Sequence, residues 1–405
     1  MKNTTIGIGI FLLPALIAGI LGDASIMAYV LCGLMFLMVV LCYAEISSRI
    51  STCNGTYAYI EKAFGPFFGF IANILFWFGG GVLLVAALVN GIASMLFVTF
   101  PFFDIQVYRG LLFLLLFLFC VLSNINGVKQ VMGWVKSTTI LTLLSLVILL
   151  MVGLYNELGT ACIMLFTAFI GGETALNIIA EMKNAKRAAP YVLVLCVIIV
   201  VVFYSLIQVT TQGTSASTLI NQKALLSAAA SKTTDNWGIK ILIIAGVLSV
   251  FGSLYSGIMV FSRVLFAGAK DGLMPKYLAK VHPVDATPHW AIVTLLVIAY
   301  VMAILGGFKQ LIIFASISML LLYLGVVLAV IKFRVKGGEN YPATFLLPGG
   351  ALIPIVTLII LVWFLFQSKP IELIVVGIFL ASLSVIYAVK VFLNKRNLKK
   401  SVAVN

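Results

Sequence analysis

Long apolar runs joined by short polar connections dominate the chain. A membrane-crossing helix needs about 20 apolar residues to span about 30 Å of hydrocarbon. Runs of that kind lie at 24–48, 66–99, 108–123, 131–154, 159–180, 190–211, 238–267, 289–306, 309–332, 344–366 and 370–393, preceded by a shorter stretch at 6–21. The pattern predicts twelve helical elements and an all-α membrane protein, because an open sheet would leave unpaired backbone groups in lipid. The sizeable connection at 212–237 is rich in Ser, Thr and Ala, with a short helix expected at 219–230. Residues 1–405 read as one transmembrane domain.

Composition agrees with the pattern. Of the 405 residues 63% are hydrophobic and 9% charged, against about 45–50% and about 25% in ordinary soluble domains. Soluble enzymes, disordered chains and secreted disulfide scaffolds are excluded. The net charge of +14 marks topology rather than a nucleic-acid partner. If the N-terminus is cytoplasmic and sides alternate, 20 of the 26 lysines and arginines collect inside. Only Arg109, Lys223, Lys232, Lys240, Lys309 and Lys369 fall outside. This bias places both termini in the cytoplasm of a cell membrane. Cys32, Cys42, Cys53, Cys120, Cys162 and Cys196 show no metal or redox spacing, and His282 and His289 share one loop. No metal site, no cofactor and no catalytic constellation is indicated, so the chain is not read as an enzyme.

Two apolar segments are broken by glycine in matching places. One is Thr5-Ile6-Gly7-Ile8-Gly9-Ile10-Phe11 and the other is Thr167-Ala168-Phe169-Ile170-Gly171-Gly172-Glu173, five elements later. They open two five-helix halves of opposite topology, the arrangement in which paired breaks point to a transporter's binding site. Unwound N–H groups hold a carboxylate and unwound carbonyls hold an ammonium, which together recognise an α-amino acid. Glu173 sits inside an apolar span, where a carboxylate costs about 2.5–3.5 kcal/mol on insertion scales and faces a cavity or carries a proton. Glu45 and Glu181, near the rim, are expected to be solvated. Gly79-Gly80-Gly81 is expected to be a packing seam.

The chain resembles the amino acid–polyamine–organocation superfamily of secondary transporters. The resemblance is carried in order by Gly7-Ile8-Gly9-Ile10-Phe11 with Pro14, Tyr43-Ala44-Glu45-Ile46-Ser47-Ser48-Arg49, Gly55-Thr56-Tyr57-Ala58-Tyr59 and Phe64-Gly65-Pro66. It continues through Ala168-Phe169-Ile170-Gly171-Gly172-Glu173 and Ala269-Lys270-Asp271-Gly272-Leu273-Met274-Pro275-Lys276 to Thr287-Pro288. It implies a twelve-helix fold with inverted repeats at 1–154 and 155–332, two peripheral helices within 344–393, and alternating access. It further implies substrate contacts at Thr5, Ile6, Gly7, Ile8, Gly9, Thr167, Phe169, Ile170 and Gly171. The backbone N–H groups around Ile8 and Gly9 would meet the carboxylate, carbonyls near Thr5, Thr167 and Ile170 the amine, and Phe169 would cover the site. Glu173 would couple the cycle to protons.

Several positions depart from the family pattern. Ile8 stands where a small residue is usual, and Thr142 where many proton-coupled relatives have lysine. Relative to arginine/agmatine antiporters, Thr167, Gly257 and Leu84 replace the polar cradle, which favours a neutral amino acid. Only six residues precede Gly7, so the cytoplasmic half of the first helix is expected to be truncated, or the start to lie upstream of Met1. The expectation is a permease working as symporter, antiporter or exchanger, with a transporter-like sensor or inactive relative as the alternative.

Overall fold

The computed structural model of the chain describes residues 25–50, 55–97, 100–125, 236–282, 287–335 and 350–402, together with Ile17 and shorter pieces of 195–206 and 341–347. Among the described residues every regular element is helical. In chain order these are α1 Ser25–Arg49, α2 Thr56–Phe64, α3 Pro66–Phe97, α4 Gln106–Ile125 and α5 Val197–Leu206. They continue as α6 Asn236–Lys270, α7 His289–Leu305, α8 Phe308–Val335, α9 Leu352–Phe366 and α10 Pro370–Val402. Six of them contain stretches long and apolar enough to cross a membrane: α1, α3, α4, α6, α8 and α10. The expected spans at 6–21, 131–154 and 159–180, the short helix at 219–230 and most of 190–211 lie outside the described residues.

Three features differ from the hydropathy pattern, and the first is the end of α10, which runs past 393 to Val402. The run at 344–366 becomes helical only at Leu352, because Pro348-Gly349-Gly350 precedes it and Gly350 has φ 62°, a left-handed conformation that interrupts a helix. The added helix α2 turns directly into α3. Gly65, at φ 95°, makes that corner without the steric cost a side chain would meet there, and Pro66 follows at the first helical position, where its missing N–H is no loss.

α3 and α8 lie at the centre of the bundle and bury most of their surface, whereas α4 and α10 face outward along most of their length. The middle of α3, Leu75–Leu83, widens into a π-helix. Gly79-Gly80-Gly81 lies on it, and the expected packing seam is present. A Cβ on Gly79 would stand 2.3 Å from Ser318 Cβ on α8, one on Gly80 3.0 Å from Met319 Sδ, and one on Gly81 2.9 Å from Phe261 Cβ on α6. Side chains are absent so that three helices can approach at backbone distance.

Three further contacts organise the described helices. α1 meets α5 where Gly33 lies against Val201 and the Tyr29 and Tyr204 rings stand 5.9 Å apart. α3 meets α6 through the glycine seam and through Asn73, whose Nδ2 donates to Val264 O at 3.3 Å. α4 meets α7 where the Phe117 and Tyr300 rings lie 6.2 Å apart, edge to face. Cys32, Cys42 and Cys120 are buried thiols within these apolar faces, as small hydrophobes are expected to be.

Candidate functional site

The residues predicted to hold the substrate and the proton, Thr5, Ile6, Gly7, Ile8, Gly9, Thr167, Phe169, Ile170, Gly171 and Glu173, lie outside the described residues, as does Thr142. The structure does place the two flanking specificity positions, Leu84 on α3 and Gly257 on α6. Gly257 is buried, and a Cβ built on it would stand 4.0 Å from Val85 Cγ2 and 3.8 Å from the Phe261 ring. Gly257 of α6 thus meets α3 at Val85, the residue next to Leu84, and the atoms nearest to it are apolar. A methyl group would be accommodated there in ordinary contact.

At one end of the bundle a charged clasp ties α1 to the end of α8. Glu45 has a fully buried side chain and accepts from Arg49 Nη2 at 2.9 Å and Nε at 3.2 Å. It also accepts from Arg334 through Nε at 2.9 Å and through Nη2, and from the Leu347 backbone N–H at 3.2 Å. The loop after α8 closes over this group. Arg49 Nη1 donates to Tyr341 O at 3.1 Å, Arg334 Nη1 donates to Gly350 O, and Phe345 N–H donates to Ser48 Oγ at 3.2 Å. Burial of a carboxylate is tolerated because several charge-assisted hydrogen bonds surround it. The solvated position expected for Glu45 is thus corrected. Hydropathy gives the depth of a residue along a helix, but not which neighbour it meets. The i, i+4 spacing of Glu45 and Arg49 is a visible signal in the sequence, whereas Arg334 is visible there only as a topology charge.

Several of the motifs that carry the family resemblance meet at this same end. Tyr57 donates its hydroxyl to Asp271 Oδ2 at 2.7 Å. Gly272, at φ 74°, ends α6 in a left-handed turn, closed by Leu273 N–H donating to Gly268 O at 2.8 Å. Lys390 of α10 donates to the Leu273 carbonyl at 3.0 Å, and Thr287 Oγ1 donates to Ile125 O at 3.1 Å. Glu61 on α2 has its carboxyl pushed above the ordinary range, first by burial and then by the negative charge of Asp271. Lys62 stacks on the Tyr341 ring at 5.8 Å and Lys332 on Phe64 at 4.9 Å. This basic end is a fastening of helix ends and loops. Among the described residues no group of acidic, histidine or cysteine side chains could hold a metal ion.

With every described element helical and six membrane-length apolar helices among the described residues, the chain is a multi-pass membrane protein. Residues 1–400 match the amino acid permease family, and the chain belongs to it. It is similar to the serine/threonine exchanger SteT of Bacillus subtilis (strain 168), at 26% identity over 376 residues, covering 84% of this chain and 82% of that protein. The methylthioribose transporter of the same organism is 22% identical over 402 residues, 89% of this chain and 85% of the relative. Cationic amino acid transporter 4, vacuolar, of Arabidopsis thaliana is 22% identical over 376 residues, and the chain spans only 62% of its length. These relatives are transporters, not enzymes.

Proposed function

We propose that the chain is a secondary transporter that moves a neutral amino acid across the cell membrane by alternating access, as a proton-coupled carrier or an exchanger. The observation that carries this reading is the family match over residues 1–400, joined to the paired glycine breaks in the sequence. In this reading the substrate backbone is held by Thr5, Ile6, Gly7, Ile8 and Gly9 together with Thr167, Ile170 and Gly171, Phe169 covers it, and Glu173 carries the proton. The basic end and both termini face the cytoplasm.

The fold in this proposal has twelve helices, with repeats at 1–154 and 155–332 and peripheral helices within 344–393. The described contacts support it. In the twelve-element count α1 and α5 are elements two and seven, α3 and α6 are three and eight, and α4 and α7 are four and nine. Each pair is in contact, as equivalent helices of interlocked inverted repeats would be. The apolar contacts of Gly257, with Val85 and Phe261, support a neutral substrate.

The test is counterflow in proteoliposomes loaded with single compounds: serine, threonine, alanine, leucine, arginine, lysine and methylthioribose. Uptake driven by neutral amino acids is expected, and Gly9→Val, which blocks close backbone approach, should abolish it without loss of folded protein. Preferential exchange of arginine or lysine would overturn the neutral assignment, and exchange of methylthioribose alone would overturn the amino acid.

A further inference from the structure

We propose that a cavity between α3, α4 and the α7–α8 connection binds the phosphate of a glycerophospholipid, anchored by Arg109. The cavity has a volume of about 320 Å³, within the size range of sites for small ligands. It lies at the end of the bundle away from the clasp, because α8 runs from beside Gly307, on the cavity wall, to Arg334 in the clasp.

The anchor is built from the side of α3. Asn90, 1% exposed, donates from Nδ2 to both Ala86 O and Ala303 O at 3.0 Å. Both amide hydrogens are then used, and Oδ1 is left to accept. Arg109 Nη2 donates to it, and the guanidinium carbon stands 5.7 Å from the centroid of the Phe113 ring. Among the described residues no carboxylate pairs with Arg109, and its other N–H groups meet no acceptor. A guanidinium held by a locked amide and an aromatic ring, with donors to spare, matches the fork geometry that binds phosphate oxygens.

The surroundings favour a lipid over a soluble anion. Phe100, Phe102 and Tyr108 are exposed in the connection from α3 to α4 and the first turn of α4, at the same end of the bundle as the cavity, as aromatic residues are at the membrane–water interface. Ile304 of α7 lines the cavity and is exposed, and Val301 and Val297 follow it exposed at helical spacing. They form an apolar ridge that leads from the cavity along α7 toward the bilayer centre. A ligand with a phosphate at the top and acyl chains below meets the whole surface, and it neutralises a cation that otherwise stands at the edge of hydrocarbon. This inference is independent of the transported substrate.

The experiment is thermal unfolding of the purified full-length protein in detergent, titrated with phosphatidylglycerol, inorganic phosphate or diacylglycerol. Phosphatidylglycerol should raise the unfolding temperature saturably, and the other two should not. Arg109→Gln should weaken the apparent lipid affinity about tenfold or more. Gly110→Leu separates this from misfolding. A Cβ at Gly110 meets nothing within 4 Å and the residue lines the cavity, so leucine occupies the site in an unstrained helix. That variant should be at least as stable without lipid and should lose the lipid response. A lipid response unchanged in either variant overturns the site. An equal response to inorganic phosphate makes it a soluble-anion site, and an equal response to diacylglycerol a mere acyl-chain contact; either result overturns the proposal.

Discussion

Glu45 is a buried carboxylate whose neighbours are two guanidinium groups and a backbone amide. Glu45→Gln removes the charge and leaves Arg49 and Arg334, with side chains 5% and 14% exposed, facing each other without a counterion. Breaking a buried ion pair from one side costs about 3–5 kcal/mol. The variant should lose about 3 kcal/mol at least, read as a lowered unfolding temperature in detergent. Arg334→Gln should cost less, because Arg49 still pairs with Glu45, and equal losses in the two variants would contradict the geometry. Glu61 gives the opposite sign. Its folded carboxyl titrates above the unfolded one, so its stabilising contribution is complete below the unfolded value, about pH 4.3, and is lost as the pH rises through the folded value. Glu61→Gln should therefore match the wild type near pH 4 and exceed it at pH 7–8, by less than about 1 kcal/mol because the group is partly solvated. A variant less stable than the wild type at pH 8 would disprove the assignment. Beyond the i, i+4 pairing of Glu45 with Arg49, neither role was legible in the sequence. Arg334 lies 289 positions from Glu45, and Asp271 is 214 positions from Tyr57; hydropathy carries no information about such partners.

Helices are the scale at which the sequence was most informative. Apolar runs of membrane length have one dominant solution in lipid, and most described helices start and stop within a few residues of those runs, although α10 continues past 393 to Val402. The exceptions are instructive: α2 lacks a long apolar run, and the start of α9 is set by backbone conformation at Gly350 rather than by hydropathy. The glycine triad of α3 was readable as a seam but not as a π-helix, because widening a helix depends on what packs against it. Gly79 tests that packing. Gly79→Ala would place a methyl 2.3 Å from Ser318 Cβ, an overpacking that costs about 1–3 kcal/mol. Ser318→Gly removes the atoms that clash and leaves Ser318 Cα 3.7 Å away, an ordinary contact. The double variant should therefore be more stable than Gly79→Ala alone, with a coupling of at least about 1 kcal/mol in a thermal-unfolding cycle. Simple additivity would show that the seam does not limit the approach of α3 and α8.

Across the whole molecule, the contacts between α1 and α5, α3 and α6, and α4 and α7 make the position of the two glycine breaks consequential. If helices five elements apart are equivalent, as proposed, the breaks at Gly7–Gly9 and Gly171–Gly172 would open the two repeats at related depths, and Glu173 would lie beside the space they share. That inference came from sequence because glycine and a carboxylate are conspicuous inside apolar spans, where both are costly. A carboxylate beside a cavity that opens to each side in turn is wet in some states and dry in others, so its proton affinity differs between them. By linkage, pH then shifts the conformational equilibrium, with each unit of difference equivalent to about 1.4 kcal/mol. Glu173→Gln keeps the volume and removes the titration. In proteoliposomes, initial uptake measured from about pH 5 to pH 8, a range that brackets a perturbed carboxyl, should lose its pH dependence in this variant while substrate binding persists. Glu173→Asp, which keeps the acid and shortens it by one methylene, should retain a pH response with altered rates. A Gln variant whose uptake follows the wild-type pH profile would remove Glu173 from the coupling mechanism. It would leave the residue as a hydrogen-bonded support for the broken helix, and the proton, if one is transported, would have to be carried elsewhere.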